Sequence, residues 1–98
     1  MKVEKPIEWD PEKNVFLIEQ RGLSFEAVVI AIERNHLIAA YPHPTRKNQK
    51  IFEVEIDGYV VVVPYVEDEE KIFFKTAFHS RKSNKVHLQG ELKNEKKI

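Results

Sequence analysis

The chain has no cysteine, so a disulfide framework, a thiolate zinc site and a cysteine nucleophile are all excluded. A reducing compartment fits that absence, although exported chains can lack cysteine too. Glycine is scarce, with 3 residues among 98, and they form no loop that could cradle a phosphate. No apolar stretch is long enough to span a bilayer. Met1-Lys2-Val3-Glu4-Lys5-Pro6 carries no apolar run of the signal-peptide kind. An excess of one charge is also missing. The 16 basic residues balance 16 acidic ones, which argues against a protein that coats nucleic acid indiscriminately. These absences predict a cytoplasmic protein with no membrane role.

What is present is an ordinary apolar share, 42%, beside a high charged share, 33%. That composition and length predict one folded domain over residues 1–90, followed by a polar tail over 91–98. The charges are segregated. No acidic residue falls between Phe74 and Gly90, where Lys75, Arg81, Lys82 and Lys85 stand with His79 and His87. A second basic run holds His43, Arg46, Lys47 and Lys50, whereas acids gather at Glu53, Glu55, Asp57 and Glu67-Asp68-Glu69-Glu70. A neutral chain arranged in this way can present one basic face.

Asp10-Pro11 predicts a helix start, because Asp caps free N–H groups and Pro fits the first helical position. Val15, Ile18 and Phe16 supply its apolar face, and Gly22 ends it. Ser24 caps a second helix whose Phe25, Val28, Val29 and Ile32 make one amphipathic stripe. After Asn35 the pattern becomes extended. Strands are predicted at His36–Tyr41, Phe52–Ile56, Tyr59–Val66 and Lys71–Phe78, with Asp57-Gly58 as a two-residue hairpin turn. Pro64 must sit where no ladder donor is needed. The acidic tetrad reads as a turn tip, and Ser80–Leu88 as a short basic helix. The fold expected is α+β: two N-terminal helices, a four-stranded antiparallel sheet with the helices on one face, and a short C-terminal helix.

No strong catalytic or metal signature is present. The histidines His36, His43, His79 and His87 are too scattered to suggest a metal site, and no cofactor is implied. The best constellation is Lys75-Thr76-Ala77-Phe78-His79-Ser80-Arg81-Lys82. RNA cleavage by its own 2′-hydroxyl needs a group to take that proton, cations for the crowded phosphate, and a donor for the leaving oxygen. Lys75 and Arg81 suit the phosphate, and His79 suits proton transfer. The same residues also read as solvated surface groups or as contacts to an acidic partner. The loop holding His43, Arg46, Lys47 and Lys50 reads equally as an RNA contact or as a soluble edge. Trp9 reads as a packing residue before a helix rather than a base-stacking one.

Two stretches, Trp9-Asp10-Pro11-Glu12-Lys13 and Gly22-Leu23-Ser24-Phe25-Glu26-Ala27, resemble the opening of BrnT-type toxins of bacterial type II toxin–antitoxin pairs. A looser likeness follows at Thr76-Ala77 and Ser80-Arg81-Lys82. The resemblance implies a cut-down relative of the RelE ribonucleases, helices followed by an antiparallel sheet, which blocks translation by cleaving RNA. It also implies a partner, a ribbon-helix-helix antitoxin that covers the toxin and represses the operon. The family's Lys-His-Gly is Gln20-Arg21-Gly22 here, so a cation remains but the histidine does not. The arginine expected after the last strand corresponds to Phe78, with Arg81 three residues later. By resemblance Arg21, Lys75 and Arg81 carry the site, and the chemistry of the residues adds His79. The competing expectation is a non-catalytic interaction module on the same fold, which binds a protein partner or nucleic acid.

Overall fold

The two helix starts and the helix stop form as the residues imply. In the computed structural model, which describes residues 3–84, α1 spans Pro11–Arg21 and the Asp10 side chain accepts the Glu12 N–H at 2.9 Å. Gly22 turns left-handed at φ 63° and donates its N–H to the Ile18 carbonyl. α2 spans Phe25–Glu33, and Ser24 Oγ accepts the Ala27 N–H at 3.0 Å. Asn35, at φ 65°, ends it: its N–H binds the Ile32 carbonyl while that of His36 binds the Ala31 carbonyl, so two otherwise orphan carbonyls are satisfied.

α1 turns a different face inward from the one its apolar residues predict. Val15, Phe16 and Ile18 are exposed, while Asn14 and Leu17 are buried. The cause is a polar bridge. Asn14 Oδ1 accepts the buried Phe25 N–H at 2.8 Å, and its Nδ2 donates to Glu26 at 2.7 Å. The first N–H groups of α2 need partners, and Asn14 supplies one, which fixes the rotation of α1. α2 behaves as its stripe predicts, with Phe25, Val28 and Ile32 buried and Ala31 joining them.

The sheet has six strands rather than four. They are β1 (Ile7–Trp9), β2 (Leu37–Pro42), β3 (Lys50–Ile56), β4 (Tyr59–Glu67), β5 (Ile72–Phe74) and β6 (Phe78–His79). Their order is β1-β5-β4-β3-β2, with β6 beside β4. β1 pairs parallel with β5, and the other pairings are antiparallel. Three residues just ahead of a strong helix start gave β1 too short a pattern to read. The hairpin turn forms as predicted: Asp57 and Gly58 adopt φ 54° and 76° and set Ile56 opposite Tyr59, the backbone a two-residue primed turn requires.

The single strand expected over Lys71–Phe78 is two strands, and Pro64 explains the break. The Lys75 N–H reaches the Pro64 carbonyl at 2.9 Å. The reciprocal bond would need an N–H at residue 64, which proline lacks. The ladder stops there and restarts one residue out of step, with Tyr65 opposite Phe74 but Val62 opposite Phe78. α3 (Arg81–Asn84) follows. Ser80 Oγ accepts the Ser83 N–H at 3.1 Å, and Asn84 Oδ1 takes the buried Val60 N–H at 3.1 Å. That side chain stands in for the backbone carbonyl β6 no longer offers. The remainder of the predicted helix to Leu88, Lys85 and His87, and the predicted tail over 91–98 lie outside the described residues.

The core lies between the helices and one sheet face, where Leu17, Phe25 and Val28 meet Phe52, Val54, Val61, Val63 and Phe74. Trp9 stacks on Phe74 at 6.1 Å and 11°, and sits 5.5 Å from Phe25. It is a packing residue. The protein is therefore an α+β fold, and among the described residues no helix is long and apolar enough to cross a membrane.

Candidate nucleic-acid interface

The bulge after β5 is where distant parts of the chain meet. Arg21 closes α1, and its Nη1 donates to the Ala77 carbonyl at 2.8 Å and approaches Thr76 Oγ1 at 3.4 Å. The slipped register turns the Ala77 carbonyl out of the ladder, which makes it available to a side chain. Arg21 remains exposed, and a guanidinium has donors beyond the nitrogen used here.

His79 lies two residues further on, about 7 Å along an extended backbone. It is exposed, opposite Val61, with its ring edge-on to Tyr59 at 5.3 Å and 83°. Arg81 and Lys82 are the first residues of α3 and are exposed. Lys75 points elsewhere. Phe74 faces the core, so alternation turns Phe73 and Lys75 to the opposite sheet face, and the Lys75 ammonium lies 5.8 Å from the Phe73 ring centroid. Arg21 and His79 thus share one side of the sheet end, and Lys75 stands on the other.

The second basic set is not brought to this place. Lys50 pairs across to Tyr65, whereas His79 pairs to Val61, a separation of about 13 Å along β4. Lys50 is engaged by Glu67 at 3.1 Å, and Lys5 holds the same carboxylate at 2.7 Å. These ammonium groups keep the Glu67 carboxyl below its ordinary pKa. His43 shapes its own loop, since Nδ1 accepts the Thr45 and Arg46 N–H groups at 3.1 Å each. That acceptor role requires a ring with its proton on Nε2. Arg46 and Lys47 are exposed at the loop tip.

Electrostatic perturbation also concentrates away from the bulge. Burial, helped by the charge of Glu67, pushes the Tyr65 phenol up to about 12. Burial again, then the hydrogen bond to and charge of Glu53, pushes Tyr41 up to about 12. Clefts of about 260 to 320 Å3 lie beside these strands and helices. Arg21, His79, Arg81 and Lys82 are all exposed near the bulge, which suits contact with a long flexible ligand. Among the described residues no three His, Asp or Glu side chains gather to hold a metal ion.

Sequence reasoning missed Thr76 and Ala77 as partners of Arg21, because a bulge carbonyl leaves no mark on residue type. It also missed Phe16, exposed on α1, with the Lys13 ammonium 4.8 Å and the Arg21 guanidinium 5.8 Å from its ring centroid. The Lys13-x-x-Phe16 helical spacing was the available signal.

No family model matches this chain, and no curated protein matches it.

Proposed function

We propose that this chain is a toxin of the BrnT type, a cytoplasmic, metal-independent endoribonuclease that blocks translation and is silenced by a ribbon-helix-helix antitoxin. One observation carries the reading. Arg21, beside the N-terminal stretches that resemble the family, binds the Thr76–Ala77 bulge, so parts of the chain more than fifty residues apart in sequence that carry the resemblance meet there. His79 and Arg81 adjoin that surface in the chain.

The chemistry that fits is attack of an RNA 2′-hydroxyl on its own phosphorus. The 2′ proton is removed, a 2′,3′-cyclic phosphate forms, and the 5′-oxygen leaves and is protonated. Arg21 and Arg81 would hold the phosphate as its charge builds up, and His79 would carry a proton at one step. Lys75, on the opposite face, would contact the RNA backbone rather than the reacting phosphate. Lys82, Arg46 and Lys47 would extend that electrostatic contact.

The interaction-module reading draws support from Val15, Phe16 and Ile18, all exposed on α1. Such side chains on a helix surface suit a protein partner. Translation measured after induction separates the two. Amino-acid incorporation should collapse with the natural chain, persist with Arg81→Ala, and recover when a neighbouring antitoxin frame is co-expressed. Unchanged incorporation from a folded protein would leave the module reading.

A further inference from the structure

We propose that Phe16, flanked by Lys13 and Arg21, is a stacking platform for one base of single-stranded RNA entering the bulge site, an inference that rests on the ribonuclease reading above.

Phe16 is 43% exposed and Phe78 on β6 39%, whereas Phe25, Phe52 and Phe74 are buried and Phe73 on β5 is half-buried. The Phe16 ring is not merely stranded in solvent, since a cation approaches from each end of the helix. Lys13, Phe16 and Gln20 stand at i−3, i and i+4, one flank of α1, and Gln20 is exposed there with both hydrogen-bonding functions of its amide. Glu12 and Glu19, at i−4 and i+3, stand on the other flank of Phe16, between it and the exposed Val15 and Ile18, so a phosphate would approach from the Lys13 and Arg21 side.

A ring for a base, an amide for a base edge and two cations for the adjoining phosphates are what an unpaired nucleotide needs. Arg21 ties this flank to the bulge. A nucleotide stacked on Phe16 would therefore place the next phosphate beside Arg21, along the path to His79. Trp9, the other aromatic of this region, is held in the core by Phe25 and Phe74 and cannot take this role.

The test uses the full chain and a fluorescent single-stranded 2′-O-methyl oligoribonucleotide of mixed sequence, which cannot be cleaved by its own sugar hydroxyl. Binding is followed by anisotropy for the natural chain and for Phe16→Ala, Phe16→Leu and Phe16→Trp, with circular-dichroism melting as a check of fold. Phe16→Ala and Phe16→Leu should both weaken binding by about five-fold to more than a hundred-fold, the range for losing one stacked base. Phe16→Trp should bind as tightly as the natural chain, and the emission gained with the new indole should be quenched by the oligonucleotide. Binding by Phe16→Leu at the natural level would overturn the proposal, because any apolar side chain would then serve. Natural-level binding by Phe16→Ala would also overturn it while leaving RNA recognition at the bulge intact. If Phe16→Ala loses only the antitoxin, the patch belongs to a protein partner. Failure of the natural chain to bind the oligonucleotide would remove the platform and the ribonuclease reading together.

Discussion

Replacing Asn14 with leucine tests how α1 is oriented, because it exchanges a polar bridge for the apolar residue that the burial of this position invites. Asn14 is 8% exposed, so leucine has room to be buried. The substitution leaves the Phe25 N–H in a buried setting with no acceptor. Such an orphan costs about 1–3 kcal/mol, and the lost bond to Glu26 adds about 1 kcal/mol. The net loss is then about 2–4 kcal/mol, a large part of the 5–15 kcal/mol typical of a domain. At about 4–8 °C per kcal/mol for this size, the melting midpoint should fall by at least about 8 °C. Asn14→Asp keeps an acceptor for Phe25 but sets a carboxylate against Glu26, and should lose less. Urea denaturation with an unchanged slope is the assay. A leucine variant within about 0.5 kcal/mol of the natural chain, the usual scatter of harmless surface changes, would refute the reasoning. Apolar burial, not the amide, would then set the rotation of α1.

Three further outcomes follow from the same kind of accounting. Asn84→Ala should cost about 1–3 kcal/mol by orphaning the Val60 N–H, measured by urea denaturation, and no loss would mean α3 is dispensable to β4. Lys5 and Lys50 hold the Glu67 carboxyl below its ordinary value of 4.5, so its contribution is present above that pH and fades as the pH falls through the lower folded value. The stability gap between the natural chain and Glu67→Gln, about 0.2–1 kcal/mol for an exposed pair, should close in acid. Tyr65 is raised from 10.0 to about 12, so between those values the unfolded chain gives up its proton first. Tyr65 should contribute a fall of up to about 1.4 kcal/mol per pH unit there, a share that Tyr65→Phe removes while that of Tyr41, raised over the same range, remains.

Local signals in the sequence were read correctly where one residue type has one backbone use. Asp10, Gly22, Ser24 and the Asp57-Gly58 turn all act as their side chains dictate, and the α+β class follows from them. Proline was half legible. That Pro64 needs a place without a ladder donor could be read directly, but not that the missing donor would split the next strand, since the partner is set by long-range register. The short β1 and the inward turn of Asn14 depend equally on contacts made after folding.

The proposed site shows the same division. The basic character of residues 75–82 was visible as composition, yet composition could not say that Lys75 and His79 point to opposite faces. Nor could it show that His43 is occupied with its own loop and Lys50 with Glu67. Arg21 came from the resemblance alone, and its bond to the bulge gives it a physical place.

The most direct test of the ribonuclease reading is to map RNA ends bearing a 5′-hydroxyl after brief induction of the natural chain, Arg21→Ala and Arg81→Ala, each confirmed as folded. Abundant new 5′-hydroxyl ends, paired with 2′,3′-cyclic phosphates, are expected with the natural chain and few with either variant. No new ends from the natural chain would contradict it, and equal ends from all three would mean that the cutting is done elsewhere than at the bulge.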